Sequence, residues 1–320
     1  MSVPVYLAKL AVKKPSDHRL AKIKRLCDAV GLADKVKPLG TVGEDEVVAI
    51  KLHFGEAGND TYLHPTFVRQ VVDCVKATGA RPFLTDTCTL YKSTRHNAVD
   101  HLETAYRHGF TPYVVDAPVI MADGVTSKCY EEVAVNLKHF ASVKIAQAFL
   151  SANAMVVLSH FKGHAMGGFG GAIKNISIGI ASSAGKAWIH SAGKTEDTEK
   201  LWSSLPAQDD FLESMAEAAK AIAAHCGERI LYISVMNNLS VDCDCDAHPE
   251  PPRMGDIGIL ASLDPVALDQ ACVDLVYASP DEGKVHLIER MESRHGIHTL
   301  EHAEAIGIGS RQYELVDLDK

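Results

Sequence analysis

At 320 residues, 47% hydrophobic and 23% charged, the chain has globular composition and enough apolar content for one large α/β unit or two smaller ones. Its formal charge of −9 leaves no basic excess to neutralise phosphates, which argues against a nonspecific nucleic-acid binder. No run approaches ~18 consecutive apolar residues, so no membrane span is expected, and the first residues lack the charged-then-apolar order of a secretory signal.

Met1–Lys9 reads as a first strand, and Glu46–His53 as the next. Pro65–Gly79 has the proline start and glycine stop of a helix. Arg81–Asp86 then gives a strand, Ser93–Gly109 a helix with a hydroxyl cap and a glycine end, and Tyr113–Asp116 a strand. Val143–Leu150 reads as a helix leading into the strand Ala154–Ser159. A glycine-rich stretch opens a helix near Gly171, and Gln208–His225 is amphipathic at helical spacing. The strand Arg229–Val235 precedes a cysteine-containing loop. Next come the strand Asp256–Leu263, a helix from Asp264 with Pro265 first, a helical C-terminal stretch and the strand Tyr313–Leu318. This alternation predicts an α/β fold, a largely parallel sheet with helices on both faces. A single unit over 1–320 is expected, and the polar stretch Thr195–Gln208 is where two lobes would divide.

Ligands of open α/β sheets bind beyond the carboxyl ends of the strands, and the chemistry-bearing residues cluster there. His160, Lys162 and His164 follow the strand Ala154–Ser159, offering imidazoles for proton transfer or metal ligation and a cation. Gly170 and Gly171, with Lys174 one turn on, form a glycine turn whose amides and lysine suit an anion; close backbone packing is the alternative. The glycine spacing matches neither a P-loop nor a dinucleotide fingerprint. Lys186 and His190 add a further cation and imidazole. Lys51, His53, Glu56 and Asp86 also fall at strand ends, although an aspartate there can simply cap a helix. Arg95 and His101 read as ordinary exposed positions on a helix.

Of eight cysteines, only Cys243 and Cys245 lie close together, with His248 three residues on. With no export signal a disulfide framework is not expected, and the pair suits a metal or thiol chemistry in a reducing cytoplasm. Cys243, Cys245, His248 and His164 are the candidate metal ligands, and their sulfur and nitrogen donors suit zinc or iron. The spacing also fits a tight acidic turn with incidental cysteines, whereas an intrachain disulfide across one residue would be strained.

Taken together, these segments resemble the family of uncharacterised iron–sulfur-centre proteins known as domain of unknown function 362. The resemblance runs through Lys-Leu-His-Phe-Gly-Glu at 51–56, Phe-Leu-Thr-Asp-Thr at 83–87, Leu-Tyr at 90–91 and Ala-Asp-Gly at 122–124. It continues in Leu-Ser-His-Phe-Lys-Gly-His at 158–164, Gly-Phe-Gly-Gly-Ala-Ile-Lys-Asn at 168–175, Cys-Asp-Cys at 243–245 and the run Asp256–Asp269. Many relatives carry a ferredoxin-like cysteine insert after the equivalent of His190, but Ser191–Leu205 holds no cysteine. A ferredoxin-type cluster, which takes cysteine thiolates, is therefore not expected in this chain. The reading that follows is a metal-binding protein whose catalytic set is His160, Lys162, His164 and Asp86, acting on a small anion held at Gly170, Gly171 and Lys174. A noncatalytic metal carrier, sensor or accessory to a redox system is the alternative. The residues leave the oligomeric state open.

Overall fold

The apolar runs pair into one dominant sheet. The computed structural model describes residues 2–39 and 46–320, so Met1 of the first predicted strand lies outside the described residues. Its strands are β1 (Val3–Lys9), β2 (Val47–Lys51), β3 (Arg81–Asp86), β4 (Val119–Met121), β5 (Tyr130–Ala134) and β6 (Ser142–Ala146), then β7 (Ala154–His160), β8 (Lys162–His164), β9 (Gly168–Gly170), β10 (Ile230–Met236), β11 (Gly258–Ser262) and β12 (Tyr313–Asp317). Eight of them form a sheet in the order β12-β1-β11-β10-β7-β2-β3-β4. Only β11 runs against its neighbours in it; every other adjacent pair is parallel. The sheet combines strands from before and after residues 195–208.

Both faces are covered, and side-chain alternation divides the core accordingly. Val48, Ile50, Val156, Leu158, Ile233 and Val235 point to one face, under α1 (Arg19–Ala29), α2 (Leu32–Val36), α3 (Pro65–Lys76), α4 (Ala98–Arg107) and α5 (Pro112–Val115). Ala49, Met155, Val157, Tyr232 and Met236 point to the other. That face is covered by α6 (Gln147–Leu150), α7 (Ala172–Asn175), α8 (Ser183–His190), α9 (Gln208–Cys226), α10 (Pro265–Ala278), α11 (Lys284–Ser293) and α12 (His298–Ala305). Ile50, Val156 and Ile233 are fully buried, each worth roughly 1.5–3 kcal/mol over leaving it exposed.

Two element assignments are corrected. Tyr113–Asp116 is not a strand. Pro112 sets the first turn of α5, Tyr113 is 97% exposed, and the sheet position is filled by β4 a few residues later. Val143–Leu150 is helical only in α6. The β-branched Val143 and Ile145 instead belong to β6, which pairs antiparallel with β5, Lys144 lying opposite Glu132 at 2.8 Å. The helix predicted from Ser93 begins at Ala98, where the Asn97 side chain accepts from the amides of Val99 and Asp100.

Candidate functional site

The sheet order reverses between β7 and β2: β3 and β4 follow outward from β2, and β10 lies beyond β7. Such a switch point opens a crevice at the strand carboxyl ends. A cleft of about 350 Å³ lies there, lined by residues following β2, β3 and β7 and by α7 and α8.

On the β2–β3 side, Lys51 is buried with its ammonium 2.9 Å from Asp86 Oδ1 and 2.7 Å from Asn175 Oδ1. Burial works against both charges. It pulls the Lys51 pKa down, whereas at Asp86 the neighbouring Lys51 outweighs it and lowers the carboxyl pKa. His101 is fully buried 3.7 Å from Asp86 Oδ2, and burial holds its ring neutral with a pKa of about 3. Arg95 is buried too, pairing through Nε with Glu56 Oε2 at 3.1 Å. Neither Arg95 nor His101 is the exposed helix residue that its sequence position suggests. His53 lines the same cleft, its Nδ1 accepting the Gly55 amide at 3.0 Å, and burial keeps the ring neutral.

After β7, His160 is fixed rather than free. Its Nδ1 lies 2.8 Å from Asp244 Oδ1 and its Nε2 2.6 Å from the Asn237 carbonyl. Both ring nitrogens thus face acceptors. Lys162 Nζ donates to the other Asp244 oxygen at 2.7 Å. Burial opposes ionisation of Asp244, but His160 and Lys162 prevail and hold its carboxyl well below the usual range. The Asp244 carboxylate thus ties the cysteine loop to the end of β7 and to β8. Gly163 permits the approach: a Cβ there would lie 2.1 Å from the Val241 carbonyl oxygen.

The loop brings Cys243 Sγ, Cys245 Sγ and a ring nitrogen of His164 within 4.8 Å of one another. A hydrogen bond from the Cys245 thiol, aided against burial by Lys174 and Lys162, pulls the Cys243 pKa to about 5. The same shared proton pushes Cys245 well above its ordinary value. The two sulfurs share a proton that favours Cys245, and Lys174 Nζ lies 3.9 Å from Cys243 Sγ. His164 Nδ1 accepts the amides of Gly167 at 2.9 Å and Met166 at 3.3 Å, so its proton sits on Nε2.

The glycine turn is built differently from the sequence expectation. Asp269 of α10 accepts the amides of Ala172 at 2.7 Å and Ile173 at 2.9 Å, taking the N-terminal donors of α7. A Cβ on Gly171 would lie 2.3 Å from Asp269 Oδ1. An internal carboxylate therefore occupies the amide cradle assigned to an external anion, and Gly171 is required by packing. Gly170 lies beside the stems of Lys162 and Lys174. Lys51, Arg95 and Lys162 are matched by Asp86, Glu56 and Asp244; among the described residues, Lys174 and Lys186 have no carboxylate at ion-pair distance. Lys186 donates to the Thr87 hydroxyl and, at 2.7 Å, to the Ala181 carbonyl. Burial lowers its pKa to about 8. One turn on, His190 Nδ1 donates to the Lys186 carbonyl at 2.7 Å, leaving Nε2 as an acceptor, and burial lowers the ring pKa to about 4.

The model of the family described as Domain of unknown function (DUF362) matches residues 48–274. The chain belongs to the DUF362 family. No curated protein was found to match it by sequence. Among solved structures, the lactate racemase apoprotein from Thermoanaerobacterium thermosaccharolyticum aligns at 13% identity with a TM-score of 0.48, covering 79% of this chain and 55% of that one. A Thermotoga maritima protein aligns at 12% identity with a TM-score of 0.41, covering 90% of this chain and 59% of that one. The DUF362 chain thus spans less than two thirds of the length of either structure.

Of the residues singled out in this DUF362 chain, Asp86, His160, Lys162, His164, Gly170, Gly171, Lys174 and Cys245 share the cleft. Cys243 lines the adjoining cavity with His164 and Cys245. His248 does not join them: its amide caps onto Asp246 at 2.9 Å and the residue is exposed, so it is removed from the ligand set. His160 belongs to the scaffold, because neither ring nitrogen is free. Asp244, Asn175 and Asp269 were missed. Each is a polar residue whose partner is distant in sequence, although all three lie in segments that carry the family resemblance: Cys-Asp-Cys at 243–245, the glycine stretch 168–175 and the run Asp256–Asp269.

Proposed function

We propose that this chain is a cytoplasmic metal-dependent enzyme acting on a small anionic metabolite. A thiophilic ion such as zinc or iron would sit on Cys243, Cys245 and His164, and a carboxylate or phosphate would be received by Lys174 and Lys186. The observation that carries the reading is the adjacency of a sulfur–imidazole donor group to two lysines that, among the described residues, lack carboxylate partners. The donor set fits such an ion: the Cys243 thiol is shifted toward the thiolate that a metal takes, sulfur and nitrogen are the preferred ligand types, and three protein ligands leave a position open. Bound there, the ion would supply Lewis acidity beside the anion.

The chain's own residues supply the rest. Asp244 holds Lys162 and the cysteine loop in place, and Lys174, beside Cys243 Sγ and lining the cleft, would meet the ligand's negative charge. His190 Nε2 is a neutral acceptor at the cleft wall, suited to receiving a hydrogen bond from the ligand. The test begins with elemental analysis of untagged protein purified without added metal, then of the Cys243→Ser/Cys245→Ser variant. Stoichiometric zinc or iron that disappears in the variant is expected; unchanged metal content removes the loop from the site. Turnover screens on small carboxylates and phosphate esters follow. Tight metal with no anion binding and no turnover would instead favour a carrier.

A further inference from the structure

We propose that Asp209, His295 and His298 form a second metal site, for a divalent ion of the zinc class, on the surface behind the turn that carries His164. One carboxylate oxygen and one nitrogen of each ring lie within 4.8 Å of one another. His295 Nδ1 is 2.8 Å from Asp209 Oδ1, and the two imidazoles stack with centroids 5.1 Å apart and planes 14° from parallel. Two imidazoles and a carboxylate are ligands that zinc accepts, and the half-exposed position of Asp209 and His295 leaves room for water to complete the shell.

A second observation points to ligation. His298 Nε2 lies 3.2 Å from Glu213 Oε1 and Nδ1 3.4 Å from Glu301 Oε2. Both contacts are long, so whichever nitrogen takes the metal gives up a weak carboxylate contact and the other keeps one, the outer-shell arrangement that orients metal-bound histidines. The neighbouring group of His139, Asp210 and Glu213 is different. Lys138 Nζ already lies 3.2 Å from Asp210 and 2.6 Å from Glu213, so a cation occupies that position.

The ligands come from separate segments: Asp209 from the first turn of α9, His295 from the link between α11 and α12, and His298 from the start of α12. That link packs on the turn between β8 and β9. A Cβ on Gly168 would lie 2.9 Å from Gly296 Cα, and one on Gly296 would lie 3.1 Å from the Gly167 carbonyl oxygen. The Gln208 side-chain amide bridges the carbonyls of Met166 and Arg294 at 2.8 Å each. An ion on Asp209, His295 and His298 therefore clamps α9 to this link and braces the turn whose amides hold His164.

The test is zinc chloride titration, by calorimetry and chelator competition, of untagged protein carrying Cys243→Ser/Cys245→Ser. Deleting the cysteines separates this site from the proposed catalytic ion. One equivalent of zinc is expected, lost when His295→Asn and His298→Gln are added; asparagine tolerates the left-handed backbone at 295, where φ is 51°. Zinc should also slow amide exchange around Gly167, Gly168 and Gly296. Should the cysteine variant fail to fold, the same two histidine substitutions in the otherwise unchanged chain must lower bound zinc by one equivalent. Equal zinc uptake with and without the histidines, or no uptake by a folded cysteine variant, overturns the site.

Discussion

Gly171 and Lys174 separate two accounts of the glycine turn. Replacing Gly171 by Ala places a methyl 2.3 Å from a buried carboxylate oxygen that is itself held by two amides, so neither side can yield cheaply. We expect a loss of about 1–3 kcal/mol in urea unfolding, as for other overpacked sites. Lys174→Met keeps most of the side-chain volume and removes only a charge, so stability should hold while sulfate-dependent thermal stabilisation falls. A Gly171→Ala protein as stable as the parent would refute the packing role assigned here. The sequence showed where the turn lies but not what its amides hold, because Asp269 arrives from α10, far along the chain. The same limit applies to His101 and Arg95. On a helical pattern they look solvent-facing, yet the fold turns them onto Asp86 and Glu56. Burial of a polar residue is a tertiary fact, and a local pattern carries no record of it.

Between elements, ion pairs rather than side-chain bulk join the strand ends at the cleft. Lys51 and Asp86 couple β2 to β3 with both side chains nearly inaccessible, 1% and 4% exposed. Lys51→Met would strand a buried carboxylate, and a loss of about 3–5 kcal/mol is expected, recovered in large part by adding Asp86→Leu. Equal destabilisation by the single and double variants would show that the pair is not coupled in this way. The turn between β8 and β9 makes a second prediction. His164 Nδ1 accepts two amides, so ligation through Nδ1 displaces them, and ligation through Nε2 requires a proton on Nδ1. Metal loading at His164 must therefore speed amide exchange at Met166 and Gly167. Loading without that change would restrict the ion to the two cysteines. The strands β7 and β10 were legible in the sequence because each is a seven-residue run buried throughout. Short elements such as β4 and β6 were not: three to five residues around Val or Ile read equally well as strand or helix, and pairing partners decided between them.

For the molecule as a whole, the cleft concentrates positive charge in a chain whose net charge is −9, and that contrast makes its ligand binding depend on pH. Lys186 is the group to follow. Burial lowers its pKa from an ordinary 10.5 to about 8, and among the described residues no carboxylate lies at ion-pair distance to restore it. In the free protein it is mainly a cation below that value and mainly an amine above it. Affinity for sulfate, which does not titrate in this range, should be nearly flat below pH about 8 and then fall by up to about tenfold per pH unit. Bound anion raises the lysine pKa in return, so the midpoint in the complex lies higher. Folding responds with the opposite slope. Between about 8 and 10.5 the unfolded chain holds a proton on Lys186 that the folded chain has lost, so this group adds stability as pH rises through that window. Lys186→Met should remove both effects together: weaker sulfate binding without a step near pH 8, and no alkaline gain in stability from this site. Calorimetric titration with sulfate and urea unfolding, each run on both sides of that pH, measure the two slopes independently. A step in sulfate affinity that persists in Lys186→Met would show that the pH dependence does not come from Lys186.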